Sequence, residues 1–383
     1  MAGIGEKIIR RALTGRFIPL PRHLTVEITS FCNLHCKMCP KTNHAVNTVE
    51  NNVMSREVFE KLKPLFPHIE SLELNGLWGE AFMHPELYLY MLREIKAHKV
   101  DVYTISNGTL LDGFLARQLV ELDLNRLVVS LDAATPETYA KIRPPGHFED
   151  VVQGLEQLKE WKTRLNWPHP QLELAFVGMR SNIDEFPDFV RLAHRLGAFQ
   201  VFLQAMGEYE SVKGESVAGH FKELGRRRFE EGRKIGQELG VIVNLLPGDQ
   251  FEEDRADRNF TPDFRCLRKE CLDLWNKAVI ATNGDVLPCC SSAMSLGNLS
   301  RQSFHEVWYG KAYSELRRRL LGGDPPEMCR VCTGMPWVEK SVKRDVQFYI
   351  SDLFYARFKR RVRLSPLLRP LKPLVRAIRQ RAR

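Results

Sequence analysis

The chain has 383 residues, of which 44% are hydrophobic and 27% are charged, and this composition is that of an ordinary globular protein. No apolar run approaches the roughly 20 residues that a membrane-spanning helix needs. The N-terminus also lacks the continuous apolar region and the cleavage site of a secretory signal. We therefore expect a cytosolic protein with one large domain and a smaller one.

The net charge of +9 is concentrated at the C-terminus. Residues 340–383 contain fourteen Lys or Arg and two Asp, a net +12, which leaves the rest of the chain at −3. Residues 1–22 form a smaller amphipathic basic segment. Such segments can lie on an anionic membrane surface, so a peripheral membrane contact stays open beside a purely solubilising role. We expect no specific nucleic-acid partner, because the tail has few aromatic side chains to stack on bases.

Six short apolar runs alternate with longer amphipathic segments in the first half of the chain. Most of these runs are too continuously hydrophobic for a sheet with one face in water. They predict strands at 23–29, 71–76, 102–106, 126–132, 172–178 and 199–206, with helices between them at 55–66, 85–99, 114–124, 148–165 and 184–197. Six strand-then-helix units predict a parallel α/β sheet, either barrel-like or doubly wound, that binds its ligands at the carboxyl ends of the strands.

Later segments differ in composition. A charged helical stretch at about 217–240 completes the α/β body, and a polar linker and a compact cysteine-bearing module follow it. We predict five parts: a basic N-terminal segment at 1–22, the body at 23–240, a linker at 241–265, the module at 266–338 and a basic tail at 339–383.

The nine cysteines fall into separate groups. In a reducing compartment, thiols at short spacings indicate metal ligation or catalysis rather than disulfides. Cys32, Cys36 and Cys39 directly follow the first predicted strand with the spacing CX3CX2C. A structural zinc site takes four protein ligands, whereas a 4Fe-4S cluster can leave one iron without a protein ligand. Three thiols on one loop favour such an open cluster, and half of a zinc site is the alternative.

At this point the chain resembles the radical S-adenosylmethionine (SAM) enzymes, with motifs in family order over about residues 20–210. Besides the cysteines, the matches are the residue before the third cysteine, the segment LNGLWGEAFMHPEL, the segment ISNGTLL and the segment VVSLDAATPETYAKIR. The resemblance implies that SAM contacts Met38, Gly79, Glu80, Asn107, Ser130 and Asp132. Met38 would pack near the adenine, and Gly79 and Glu80 would bind the methionyl amino group. Ser130 and Asp132 would bind the ribose or the methionyl group.

The resemblance also implies the fold and the chemistry. The fold is a partial (β/α)6 TIM-like barrel, and the cofactors are SAM and a 4Fe-4S cluster. An electron from the reduced cluster splits a carbon–sulfur bond of SAM, and the resulting 5'-deoxyadenosyl radical abstracts a hydrogen atom from the substrate. An electron donor of the flavodoxin or ferredoxin type is the implied partner. No spacing in the chain identifies a catalytic acid or base.

A second set of cysteines lies in the predicted module. The pattern CX12GX4C, followed by CX2C, contains an Asn283-Gly284 hairpin signal that folds the chain back between its first two thiols. It resembles the Twitch and SPASM modules, small α+β units that hold auxiliary clusters. The resemblance implies a second 4Fe-4S cluster at Cys271, Cys289, Cys329 and Cys332, and a zinc ribbon is the alternative. Cys266 and Cys290 remain unassigned.

An auxiliary cluster can accept the electron of a substrate radical, which favours oxidation of a small molecule by a dehydrogenase-like reaction. Modification of a peptide or protein, as in peptide-modifying enzymes or sulfatase maturases, is an alternative, although about 22 residues before the first strand leave little room for a peptide-recognition domain. A membrane-linked substrate is another alternative, suggested by the basic ends. A non-catalytic zinc-binding scaffold is the alternative from a different class.

Overall fold

The structure is a computed structural model that describes residues 18–44, 52–246, 251, 267–269, 271, 273–290, 292, 294–322, 324–330 and 337–339. Most of the predicted basic N-terminal segment, the basic tail, Cys266 and Cys332 lie outside these residues. The chain divides into two compact units. The larger unit comprises residues 22–257 and 277–307, and the smaller comprises residues 1–21, 258–276 and 308–383.

A nine-stranded sheet forms the centre of the larger unit. Its first seven strands are parallel and lie side by side in chain order: β1 (His23–Glu27), β2 (Ser71–Asn75), β3 (Asp101–Ser106), β4 (Arg126–Ser130), β5 (Gln171–Val177), β6 (Gln200–Gln204) and β7 (Ile242–Leu246). In the smaller unit, β8 (Leu267–Lys269) pairs with β11 (Trp337–Glu339). The strand β9 (Lys277–Ile280) adds to β1 in parallel, and β10 (Val286–Leu287) pairs antiparallel with β9.

Helices connect the parallel strands. They are α1 (Arg56–Glu60), α2 (Pro85–Lys96), α3 (Gly113–Glu121), α4 (Pro136–Ile142), α5 (Phe148–Arg164), α6 (Phe186–Leu196), α7 (Val217–His220) and α8 (Lys222–Leu239), followed by α9 (Asp273–Asn276), α10 (Phe304–Trp308), α11 (Lys311–Gly322) and α12 (Glu327–Arg330). Local sequence sets their starts: Asp112 caps α3 by accepting the Leu115 N–H at 2.8 Å. No helix in the described part of the chain is both long and apolar enough to cross a membrane.

The predicted partial barrel is confirmed. Within the described residues, β10 and β7 are the two edges of the sheet, so the strands do not close into a full barrel. Leu72 and Leu74, which lie on one face of β2, are fully buried. Between β5 and α6, Phe176 packs edge-on against Phe186 and Phe189, with ring centroids 5.3 and 4.9 Å apart.

The structure differs from the predicted domain boundaries at two places. The strand β7 lies inside the predicted linker, because the apolar run VIVNLL pairs with the edge of β6. The strands β9 and β10 lie inside the predicted module, yet they extend the main sheet at the edge of β1. The predicted hairpin between these two strands is confirmed, and its Gly284 adopts a φ of +85° that a glycine accommodates easily.

A buried arginine organises the described part of the smaller unit. The Arg317 side chain is fully buried and lies over the rings of Trp308 and Tyr313, 4.3 and 4.6 Å from their centroids. Its guanidinium donates to the carbonyl oxygens of Leu274 at 2.9 Å and of Trp308 at 2.8 Å. The Trp308 indole in turn donates to the Pro19 carbonyl at 3.0 Å. Within the smaller unit, one side chain therefore connects α9, Trp308 and α11.

Replacement of Arg317 by Met tests this arrangement. Two buried carbonyl oxygens would lose their donor, which costs about 3 kcal/mol in unfolding free energy, so the transition of the smaller unit should move to lower temperature in calorimetry. Arg318→Met is the matched control, because the neighbouring Arg318 is exposed and pairs with Glu315 at the surface. Equal transition temperatures for the two variants would contradict the role given to Arg317.

Candidate functional site

The three-cysteine loop follows β1 at the carboxyl edge of the sheet. Cys36 is buried and Cys32 and Cys39 are half-buried. All three pack against one apolar cluster formed by Leu34, Met38, Ile142 and Met179, with Val177 and Met206 at its border. The structure therefore places Met38 and the three thiols in one cluster.

Backbone hydrogen bonds hold this loop against the end of α4 and the segment that follows it. The N–H of His35 donates to the Pro144 carbonyl at 2.7 Å, and the N–H of Lys37 donates to the Ile142 carbonyl at 3.0 Å. Within the loop, the Cys39 N–H donates to the Cys36 carbonyl at 3.1 Å. The shape of the thiol loop thus depends on the connection that leaves β4.

The environment of the sulfurs fits an iron-sulfur cluster. Burial raises the pKa of Cys36 to about 11 and also raises the pKa of Cys32, because a buried thiolate is poorly solvated. Binding of iron would offset the free-energy cost of ionising these two thiols. An N–H of Arg143 lies 3.5 Å from the Cys36 sulfur, and the amide nitrogen of Asn107 lies 3.9 Å from the Cys32 sulfur. Among the described residues, no three His, Cys, Asp or Glu side chains are arranged to hold a single metal ion. A cluster takes each thiolate at a different iron, so its ligands need not converge on one point.

The loop after β2 lies directly on the thiol loop. The Glu80 N–H donates to the Phe31 carbonyl at 2.7 Å. A Cβ atom at Gly79 would lie 2.4 Å from the Thr29 carbonyl oxygen and 2.6 Å from the Phe31 carbonyl oxygen. Only glycine allows this approach of the two backbones.

The Glu80 carboxylate is buried and firmly held. It accepts the Ser106 hydroxyl at 2.7 Å, the Asn107 N–H at 2.6 Å and the Phe82 N–H at 3.0 Å. Burial raises the pKa of Glu80, and these three donors oppose that rise. The carboxyl ends of β2 and β3 therefore position one carboxylate beside the thiol loop.

Asn107 connects the same loops through its side chain. Its amide nitrogen donates to the Asn33 oxygen at 2.9 Å, and its amide oxygen accepts the Thr109 N–H at 3.0 Å. Ser130 ends β4 with a half-buried side chain. Both lie at the carboxyl edge of the sheet, as the sequence predicts.

Asp132 makes its contacts within the protein. Its carboxylate accepts the Nε–H of Arg143 at 2.7 Å, a second N–H of the same guanidinium, and the Val177 N–H at 2.7 Å. Both members of this ion pair are buried. Sequence reasoning missed Arg143, although it ends the segment VVSLDAATPETYAKIR. In the sequence, Arg143 is a single basic residue after a predicted helical segment, and nothing there pairs it with Asp132. The pairing is visible only in the structure.

Sequence reasoning also missed Glu27, a buried carboxylate at the end of β1. It accepts the Thr282 N–H at 3.1 Å and a hydrogen bond from the Trp78 backbone. Burial raises the pKa of Glu27 to about 7, and the two backbone donors and Lys41 oppose that rise. Glu27 thus connects β1 to the β2 loop and to the β9–β10 hairpin.

The predicted auxiliary ligands are divided between the units. Cys271 and Cys329 belong to the smaller unit and are half-buried. The pKa of Cys271 is raised to about 11, mainly by burial. The negative charge of Asp273 is the next largest cause of this rise, and Cys329 adds to it. Cys289 is half-buried in the larger unit, Cys290 beside it is exposed, and Cys332 lies outside the described residues.

Comparison with known proteins identifies the class. Residues 26–193 match the model of the radical SAM superfamily, and residues 271–333 match that of SPASM, an iron-sulfur cluster-binding domain. The chain therefore carries a radical SAM domain followed by a C-terminal SPASM-type module. Enzymes of this class use SAM, a 4Fe-4S cluster and auxiliary clusters, together with a reductant and a substrate, so the predicted cofactors are confirmed.

Several relatives and solved structures are similar over most of the chain. A probable GTP 3',8-cyclase of Methanocaldococcus jannaschii is 29% identical over 66% of this chain and 72% of its own. An AdoMet-dependent heme synthase of Methanosarcina barkeri is 26% identical over 82% and 88%. The crystal structure of Streptococcus suis SuiB bound to S-adenosylmethionine superposes with a TM-score of 0.62 at 14% identity, over 82% of this chain and 71% of that one. This last similarity concerns the fold.

Gly79→Ala tests the packing of the two loops. The added methyl group would overlap two carbonyl oxygens, and overpacking of this kind costs about 2 kcal/mol. SAM affinity, measured by anaerobic equilibrium dialysis, should fall about tenfold or more. Gly113→Ala is the matched control, because the new methyl group would meet only the flexible end of Gln157 at 3.3 Å. Unchanged SAM affinity in Gly79→Ala would contradict the assignment of Gly79 to the SAM-binding site.

Glu27→Gln tests the buried carboxylate through the pH dependence of stability. A folded-state pKa near 7, above the ordinary 4.5, means that stability is present at low pH and is lost as pH rises toward 7. The loss amounts to about 3 kcal/mol. The melting temperature of Glu27→Gln should therefore match that of the native chain near pH 5 and exceed it by a few degrees at pH 8. A constant difference across this range would contradict the raised pKa.

Proposed function

We propose that this enzyme reductively cleaves S-adenosylmethionine at a site-differentiated 4Fe-4S cluster held by Cys32, Cys36 and Cys39, and then abstracts a hydrogen atom from a small molecule. The observation that carries the proposal is the packing of the three thiols in one apolar cluster beside the anchored Glu80 loop. When bound, the first cluster and SAM supply a 5'-deoxyadenosyl radical, and the auxiliary cluster supplies a one-electron acceptor.

The chain's own residues bind and orient SAM in this proposal. Glu80 accepts a hydrogen bond from the methionyl amino group. Its three protein donors fix the orientation of the carboxylate and leave lone pairs on its oxygens for this contact. The backbone of Gly79 contacts the methionyl amino group beside Glu80, and Met38 packs against the adenine. Ser130 and Asn107 contact the ribose or the methionyl group from the ends of β4 and β3. Asp132 acts indirectly, through the guanidinium that it holds.

Oxidation of a small molecule is the proposed reaction type. The names of the two similar relatives, a GTP 3',8-cyclase and a heme synthase, describe enzymes that act on small molecules. The proposed auxiliary ligands are Cys271, Cys289, Cys329 and Cys332, within the matched SPASM segment. A one-electron acceptor there would let the substrate radical lose an electron and a proton.

Two partners are proposed from the sequence. An electron donor of the flavodoxin or ferredoxin type would reduce the first cluster. The basic segment 339–383 would give a peripheral contact with an anionic membrane, since its residues 340–383 carry a net charge of +12. Co-sedimentation of the full chain and of a chain ending at residue 338 with anionic liposomes tests this contact, and equal binding would contradict it.

Cysteine variants test the proposed function. The anaerobically purified native chain should hold about eight irons and eight sulfides and form 5'-deoxyadenosine on reduction with SAM. Cys32→Ala should lose about half of the iron and all 5'-deoxyadenosine formation, because the first cluster would lose a ligand. Cys329→Ala should also lose about half of the iron but keep uncoupled SAM cleavage.

Cys290→Ala is the control for these variants, since Cys290 is exposed and is not among the proposed ligands. It should keep both the iron content and the cleavage. Zinc without iron in the native chain, or normal 5'-deoxyadenosine formation by Cys32→Ala, would contradict the proposal.

A further inference from the structure

The guanidinium of Arg143 is shared between a carboxylate and a thiol. Two of its nitrogens donate to one oxygen of Asp132, and a third lies 3.5 Å from the sulfur of Cys36. Arg143 is 7% exposed and Asp132 is fully buried. The contact to sulfur is therefore shielded from water, where a charged donor interacts more strongly than at a surface.

Neighbouring groups hold both members of the pair in place. The second carboxylate oxygen of Asp132 accepts the Val177 N–H at 2.7 Å, and the Asp132 carbonyl accepts the side-chain amide of Asn182 at 2.9 Å. The Arg143 N–H donates to the Tyr139 carbonyl at 2.8 Å. Because Asp132 is fixed at the ends of β4 and β5, the guanidinium keeps its direction toward the sulfur.

This geometry has an electrostatic consequence at the sulfur. A hydrogen bond or a positive charge at a cysteine ligand favours the reduced form of a cluster, because reduction adds negative charge. Arg143 supplies both, while Asp132 cancels most of its net charge. Glu80 has the opposite influence at the thiol loop, since its carboxylate repels negative charge on the Cys32 sulfur.

We propose that the Arg143–Asp132 pair sets the reduction potential of the cluster held by Cys32, Cys36 and Cys39. Arg143 donates to the ligating sulfur of Cys36, and Asp132 is a positioning residue that aims and neutralises the guanidinium. The inference rests on the proposed function, which assigns that cluster to these three thiols.

Redox titration of the anaerobically prepared full chain, followed by electron paramagnetic resonance, tests the proposal. The relevant signal is the component that is absent from Cys36→Ala, and the auxiliary component is the internal control. Arg143→Met should lower the ratio of reduced to oxidised cluster about tenfold at a fixed applied potential, which is 59 mV for a one-electron couple. Asp132→Asn should raise this ratio, because the guanidinium charge is then uncompensated. Arg143→Lys should lie between Arg143→Met and the native chain.

The double variant Asp132→Asn/Arg143→Met removes the hydrogen bond without leaving a buried charge, and should move the ratio down by less than Arg143→Met. Shifts of the same sign in Arg143→Met and Asp132→Asn, or no shift in either, would overturn the inference. Loss of the component from Arg143→Met, Asp132→Asn and the double variant, with the auxiliary component intact, would show a merely structural role and would also overturn it. Absence of the component from the native chain would overturn the proposed function itself.

Discussion

The close approach of two backbones at Gly79 is the constraint on which the rest of the site depends. The carbonyl groups of Thr29 and Phe31 lie where a side chain at Gly79 would be, so the loop after β2 rests directly on the loop that begins the cysteine motif. This contact places Glu80 beside the thiols, and β3 completes its surroundings with Ser106 and Asn107. The parallel order of β1, β2 and β3 makes the arrangement possible, because their carboxyl ends meet at one edge of the sheet.

Around this contact, each buried carboxylate has hydrogen-bond donors or a cationic partner. Glu80 and Glu27 each accept backbone donors from neighbouring loops, and Asp132 faces Arg143. A buried charge is costly without such partners, so each group also determines where its loop can lie. The carboxylates therefore stabilise one arrangement of the loops, and the proposed binding of SAM would use this preorganisation.

Local patterns in the sequence predict the fold well and the site in part. Strands β1 to β6 are visible as continuous apolar runs, and the thiol loop is visible from its spacing. The strands near the edges of the sheet cannot be predicted from local sequence, because β7 and β9 join the sheet by pairing with β6 and β1. The run VIVNLL alone is too short to distinguish a strand from the start of a linker. The contacts of Asp132 were hidden for a similar reason, because Arg143 meets it only after α4 has turned the chain back.

In the proposed function, the cysteine loop holds a cluster with one iron open to SAM, beside Glu80. Mössbauer spectroscopy of the chain loaded with ⁵⁷Fe, before and after addition of SAM, tests it most directly. Addition of SAM should change the spectrum of one iron of the cluster that depends on Cys32, Cys36 and Cys39, and should leave the remaining irons unchanged. Identical spectra with and without SAM, in a chain whose iron content is complete, would contradict it.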